Sequence, residues 1–310
     1  MCNNHKKISV NSFFDIKHAI DILSKKKKDL FNTFSELQIL QEERLELQLN
    51  ILFDKLEKDV IEKFDKIFPL NKNFNLLKSS ELDDVIKIVS VIQPNPFYEI
   101  LLENLLSSYL VGGKAAFSVF EIRTPFNLRD LNAEKKLKTE MNKLSKQVSK
   151  ELQNKIKNEL LDGVKNGDSI PQLRQRVSDV WNNPITVTVP PKVIDGEVVR
   201  QGYSYEMSNK HWATTVSRTE TTKAYNMGRL DGFRQGGVVS MVEFSTSPDE
   251  RLCTVCAGLE GVQYSLDKAD GIVPVHANCR CTLIPLLGDF DYSKAQAIFQ
   301  QNINLLYEID

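Results

Sequence analysis

The chain has 310 residues, with 40 basic against 41 acidic side chains and 41% hydrophobic residues. That length holds one large or two modest domains with a real core, and the near-neutral balance removes any chain-wide electrostatic footprint for nucleic acid. Met1 to Val10 lacks the apolar h-region of a secretory signal and no apolar run is long enough to cross a membrane, so the expectation is a cytosolic product with reduced thiols and no membrane partner.

The first two-thirds read as helical. Leu45, Leu49, Leu52, Leu56, Val60, Phe64 and Ile67 recur at steps of three and four, an apolar stripe that Pro69 ends. Pro94 and Pro96 mark the next boundary, and Phe97 to Leu110 reads as a second apolar helix, with Gly112 and Gly113 as the turn that stops it. After Thr124 and Pro125 comes the most regular pattern in the chain: Leu137, Met141, Leu144, Val148, Leu152, Ile156, Leu160 and Val164 form one narrow stripe, suited to another long helix or a neighbouring subunit. Lysines decorate the other faces of that helix, and Lys25 to Lys28 form a run of their own. Such runs are first of all solvated faces; these lysine-rich helices are also the candidate DNA contact, without the interleaved aromatics of a single-strand platform.

The helix ends between Gly163 and Gly167, and N-G-D-S-I-P opens another, capped by Asp168 or Ser169 and reaching about Trp181. From Ile185 to Tyr205 the period changes to that of strands, with a D-G turn between two branched runs: a β-hairpin over 185–205, interrupted by Pro190 and Pro191, that projects as an arm. A helix follows over 207–235. Its Ala213, Val216, Glu220, Ala224 and Met227 share a face, which sets the Glu220 carboxylate among small apolar groups and calls for a partner such as Arg218, Arg229 or Arg251. Trp181 and Trp212 read as core anchors.

Gly236 and Gly237 end that helix, and a strand leads into Cys253, Cys256, His276, Cys279 and Cys281, so that four of the protein's five cysteines fall in one stretch. C-x2-C followed by H-x2-C lets each pair grip one side of a tetrahedral ion from a tight turn, and reduced thiols favour metal over disulfide. Five candidates stand where a closed site needs four. The preferred set is Cys253, Cys256, His276 and Cys279 around a structural Zn²⁺, with Cys281, two residues on and on the same face of an extended strand, as competing ligand. No catalytic residue and no bound organic cofactor is expected.

S-R-T-E-T-T-K-A-Y-N-M-G-R (Ser217 to Arg229), S-P-D-E-R-L-C-T-V-C-A-G-L-E-G and H-A-N-C-R-C-T-L-I-P occur in that order, and L-L-D-G-V-K-N-G-D-S-I-P-Q-L precedes them. Together they resemble the domain of phage head morphogenesis proteins, the Mu F-like minor head proteins, over roughly 132–287. Arg218, Thr219, Glu220, Ala224 and Asn226 fit that family's helix, and Asp249, Arg251 and the cysteine and histidine positions fit its C-terminal pattern. Ala277 stands where the family usually has proline. The resemblance implies a non-enzymatic minor capsid protein of a tailed phage. It implies a place in the virion at the portal vertex, reached from the host cytoplasm during assembly, with the portal and other head proteins as partners and roles in head assembly and in DNA packaging or ejection. Arg218, Glu220, Asn226, Asp249 and Arg251 take structural roles in that reading.

The fold expectation is α+β, mainly α: long amphipathic helices, a β-hairpin and a small Cys/His-rich C-terminal β module. Three parts are expected: a helical region 1–126, a candidate partner-docking arm; the Mu F-like domain 127–287, with its Cys/His module at 238–287; and a helical tail 288–310. Two enzyme readings compete. One is a metal-dependent, nuclease-like site using the Cys/His module with Asp249 or Glu250. The other takes the S-T-S at Ser245 to Ser247 for that of ADP-ribosyltransferases, against which no paired acid follows at a strand end. A zinc-stapled interaction protein of non-viral role is the remaining alternative.

Overall fold

A computed structural model describes residues 27–69, 79–119, 126, 131–182, 185–189, 191–194, 196–200, 202–237, 239–247 and 253–286. The expected tail 288–310, the 1–26 segment, Asp249, Glu250 and Arg251 lie outside the described residues. The architecture is mainly helical with small antiparallel sheets, as the sequence predicts. No described helix is long and apolar enough to cross a membrane.

The chain divides into two compact units, each assembled from non-consecutive segments: Glu42–Asn104 with Glu134–Ser217, and Met1–Gln41 with Leu105–Ala133 and Arg218–Asp310. We call them the helical unit and the cysteine unit. Helices α1 (Lys27–Ile67), α3 (Pro94–Val119) and α6 (Asn209–Gly236) each contribute residues to both.

In the helical unit the apolar stripe of α1 is buried from Leu45 to Phe64, and α2 (Ser79–Val89) adds Val85 and Ile88. Helix α4 (Leu131–Lys165) buries Leu137, Met141, Val148, Leu152, Ile156, Leu160 and Val164 within the chain itself, leaving its lysine-rich faces outside. Phe53, Phe97 and Trp212 meet edge to face, with centroids 5.6 Å apart for Phe53 with either partner. The α4 helix ends as its sequence dictates. Gly167 takes φ +76°, its N–H bonds to Val164 O and the Asp168 N–H to Gly163 O, a Schellman closure that glycine accepts without strain. Helix α5 (Ile170–Asn182) then starts with a capping box, in which the Gln172 side chain accepts from both the N–H and the hydroxyl of Ser169 at 2.7 Å.

The expected hairpin forms as two nested ladders. Strand β1 (Ile185–Val189) pairs with β4 (Tyr203–Met207), and β2 (Lys192–Ile194) pairs with β3 (Glu197–Arg200) around Gly196 at φ +85°. Pro191, which has no N–H to give to a ladder, lies in the break between them.

The cysteine unit is organised around α6, which is buried on most sides from Thr221 to Phe233. One expectation fails here. Gly112 and Gly113 do not stop a helix: α3 runs through them to Val119. A Cβ on Gly112 would sit 2.1 Å from Tyr225 O, and one on Gly228 would sit 1.9 Å from Tyr109 O, so α3 and α6 cross backbone to backbone. The glycines are there for close approach, at the propensity cost of about 1 kcal/mol each that a mid-helix glycine carries. Strands β5 (Met241–Ser245), β6 (Gln263–Ser265) and β7 (Thr282–Leu286) complete the unit in the order β6-β5-β7, all antiparallel, with Val242 opposite both Tyr264 and Pro285. Phe34, Tyr225, Phe233, Val242, Phe244 and Leu283 are core members here.

Candidate metal centre

Three short segments bring the cysteines and the histidine together. Cys253 is the N-cap of helix α7 (Thr254–Leu259), and its Sγ accepts from the Cys256 N–H at 3.3 Å. That turn points both sulfurs to one side. His276 opens a turn closed by the Cys279 N–H on His276 O at 3.2 Å, with Asn278 at φ +60° inside it, a conformation asparagine tolerates better than most residues. Cys281 directly precedes β7.

The ligand atoms fall into two overlapping triples, Cys253, Cys256 and His276 in one and Cys256, Cys279 and Cys281 in the other, each with its atoms within 4.8 Å of one another. Cys256 belongs to both. His276 Nε2 lies 3.2 Å from the Sγ atoms of both Cys253 and Cys256. Zn–S of about 2.3 Å and Zn–N of about 2.0 Å give a tetrahedral S···N edge of roughly 3.5 Å, so this spacing is close to that of a coordination edge. His276 Nδ1 faces Ala277 O at 2.7 Å. A carbonyl only accepts, so Nδ1 is the nitrogen that donates here, and Nε2 is the one turned to the sulfurs, as in a His ligand whose other nitrogen is held by a carbonyl.

Burial is graded across the group, with Cys256, Cys279 and Cys281 buried and Cys253 and His276 partly exposed. Hydrogen bonds from the Cys256 and Cys281 thiols pull the Cys279 thiol far below its usual range. Its proximity, with that of Cys281 and with burial, pushes Cys256 far up. Cys281 is drawn down by Cys256 but pushed further up by Cys279 and by burial, to about 12. Three sulfurs thus share protons in the space where a cation would replace them. The donor set suits a metal ion: thiolates and an imidazole with its free nitrogen turned inward.

The residues assigned structural roles divide. Asn226 is buried, its Nδ2 donates to Thr222 O at 2.8 Å, and its Oδ1 accepts from the Thr282 hydroxyl at 3.2 Å, which ties α6 to β7. Glu220 is only partly buried and lies 3.6 Å from Lys223 Nζ. Arg218 is likewise partly exposed. Sequence reasoning gave too little weight to Arg229. It is fully buried, donates to the Thr282 hydroxyl and, at 2.6 Å, to Leu283 O, and stacks with its guanidinium carbon 3.6 Å from the centroid of Phe34. Burial lowers its pKa to about 10. Thr219 and Thr222, also on α6, touch the ligand-bearing segment directly: Thr219 Oγ1 accepts from the Asn278 N–H at 3.0 Å, and the Thr222 hydroxyl donates to Cys279 O at 3.1 Å. Their signal in the sequence is the spacing 219, 222, 226, 229, a polar stripe on a helix otherwise read for its apolar face.

Residues 154–284, from within α4 to β7, match the family described as Phage Mu protein F like protein. Over this segment the match supports a Mu F-like phage head morphogenesis protein. It contains all five cysteine and histidine positions and the whole polar stripe of α6. No curated protein and no solved structure gives a significant match to the chain.

Proposed function

We propose that the chain is a structural minor head protein of a tailed bacteriophage. It is built into the virion at the portal vertex, with the portal and other head proteins as partners, and it serves head assembly and DNA packaging or ejection without catalysing a reaction. In this reading 127–287 is the head-protein domain, 1–126 supplies partner-specific contacts and 288–310 is a helical tail. The lysine-bearing faces of α4 are the candidate DNA contact. The Cys/His cluster is a zinc staple held by Cys253, Cys256, His276 and Cys279, with Cys281 in competition, and Asp249 and Arg251 support the loop that carries Cys253.

The observation that carries the staple is the place of Cys256 in both triples, within the segment that matches the family. Zinc suits this set because it takes thiolates and imidazole tetrahedrally and has no redox chemistry to oxidise them; bound, it would supply cross-linking of the two turns to each other. Metal analysis by mass spectrometry of the full chain, purified without chelator, is expected to give close to one equivalent of zinc; less than about a tenth would sink the staple, since structural sites survive purification. For the virion role, the full chain is expected to co-purify with the portal protein of the same genome. A Leu47→Glu, Ile51→Glu variant, altered at two exposed apolar positions of α1, is expected to lose it. Failure of the unaltered chain to bind any head protein would remove the proposal.

A further inference from the structure

The polar stripe of α6 follows the ligand-bearing segment residue by residue. Positions 219, 222, 226 and 229 lie on one helix face. In order they meet the Asn278 N–H, the Cys279 carbonyl, the Thr282 hydroxyl, and Thr282 together with the Leu283 carbonyl. The clamp therefore holds the main chain on both sides of Cys279 and Cys281. Its centre is Thr222, whose Oγ1 accepts from Gln38 Nε2 at 2.7 Å while donating to Cys279 O, and whose own carbonyl takes the Asn226 amide. Cys279 has both peptide groups engaged, its N–H by His276 O and its C=O by Thr222.

We infer that Thr222 is a positioning residue of the metal centre: by fixing the Cys279 peptide against α6, it aims that thiol and selects it over Cys281 as fourth ligand. The inference rests on the zinc-staple reading. A single oxygen can do this because the Thr222 bond is made to the peptide of Cys279 itself, whereas the clamp reaches Cys281 only through the residues after it, and outer hydrogen bonds of this kind govern metal affinity by about 10–100-fold. Hydroxyl donation to the Cys279 carbonyl needs a side chain that also accepts from Gln38, which serine satisfies and valine, nearly the same shape, does not.

The test measures zinc affinity of the full chain by competition with a chromophoric chelator, and ligand choice by the Co²⁺ spectrum. Thr222→Val is expected to bind zinc roughly 10–100-fold more weakly, with Thr222→Ser restoring most of the loss. In the wild-type background Cys279→Ser is expected to abolish tight binding while Cys281→Ser keeps it, and in Thr222→Val that difference narrows. Tyr109→Phe, which removes a buried hydrogen bond to Asp231 in the same unit at 2.8 Å, is the control for lost stability and is expected to leave affinity unchanged. If Thr222→Val fails to fold, Thr219→Ala decides on the same criteria with a smaller loss. Affinity within about 2-fold of wild type, or an equal fall in the Tyr109→Phe control, overturns the inference alone. A wild-type chain that binds no metal overturns the staple and this inference with it.

Discussion

The helical unit and the cysteine unit are stabilised by different means. The first is held by area: stripes from α1 and α4 and the Phe53, Phe97 and Trp212 cluster are buried along helices many turns long, and any one contact is a small part of the total. The second also has a core, around Phe34, Tyr225, Phe233 and Phe244, but its three short strands and the six-residue α7 are tied to α6 and to one another by point contacts: sulfurs, a histidine nitrogen, a buried guanidinium and two hydroxyls. Distributed burial tolerates local loss, whereas a module of point contacts fails when one is cut.

The largest effect should therefore come from the cluster. Cys256→Ser removes the one sulfur common to both triples. It should abolish stoichiometric zinc and, by hydrogen exchange, deprotect β5 to β7 while the far-UV signal of the long helices persists; chelation of the unaltered chain should do the same. Uniform melting of both units would erase the distinction. Phe97→Ala, at a fully buried ring, should cost about 3–5 kcal/mol by denaturant titration yet leave zinc content intact. Gly228→Ala places a methyl against Tyr109 O and should cost about 1–3 kcal/mol, more if the crossing cannot open; a neutral outcome would mean that the helices separate easily.

The smallest effect is a matter of pH. Tyr225 is buried, its hydroxyl has no partner among the described residues, and burial raises its pKa from 10 to about 12, with Arg229 opposing. The unfolded phenol ionises from about pH 10 while the folded one keeps its proton, so stability from this group is intact below pH 10 and declines through pH 12. Tyr225→Phe should match wild type at pH 7 and exceed it by about 1 kcal/mol near pH 11, read as the difference between the two urea midpoints.

What could be read in advance follows the same division. The stripes of α1 and α4, the caps at Ser169 and Gly167 and the D-G hairpin were legible because local periodicity and turn chemistry leave their mark within a few residues. Gly112 and Gly113 misled because the same residue that ends a helix also permits a close crossing, and only the partner, Gly228 with Tyr225, distinguishes the cases. The cysteines announced a metal-type cluster, but not that Cys256 would bridge two triples, since that depends on how β7 is laid beside α7. Thr222 and Arg229 were obscured for another reason: polar residues on a helix are expected outside, and their burial here is set by a segment more than fifty residues downstream.

At the crossing of α3 and α6 nothing is left to compress. Elsewhere in the unit a side chain can change rotamer and let two elements draw nearer, but here peptide already lies on peptide. The spacing of the two axes there is set by main-chain atoms, so no choice of side chain at that place can bring them nearer, and α6 carries its polar stripe at a distance from α3 that bare peptides dictate.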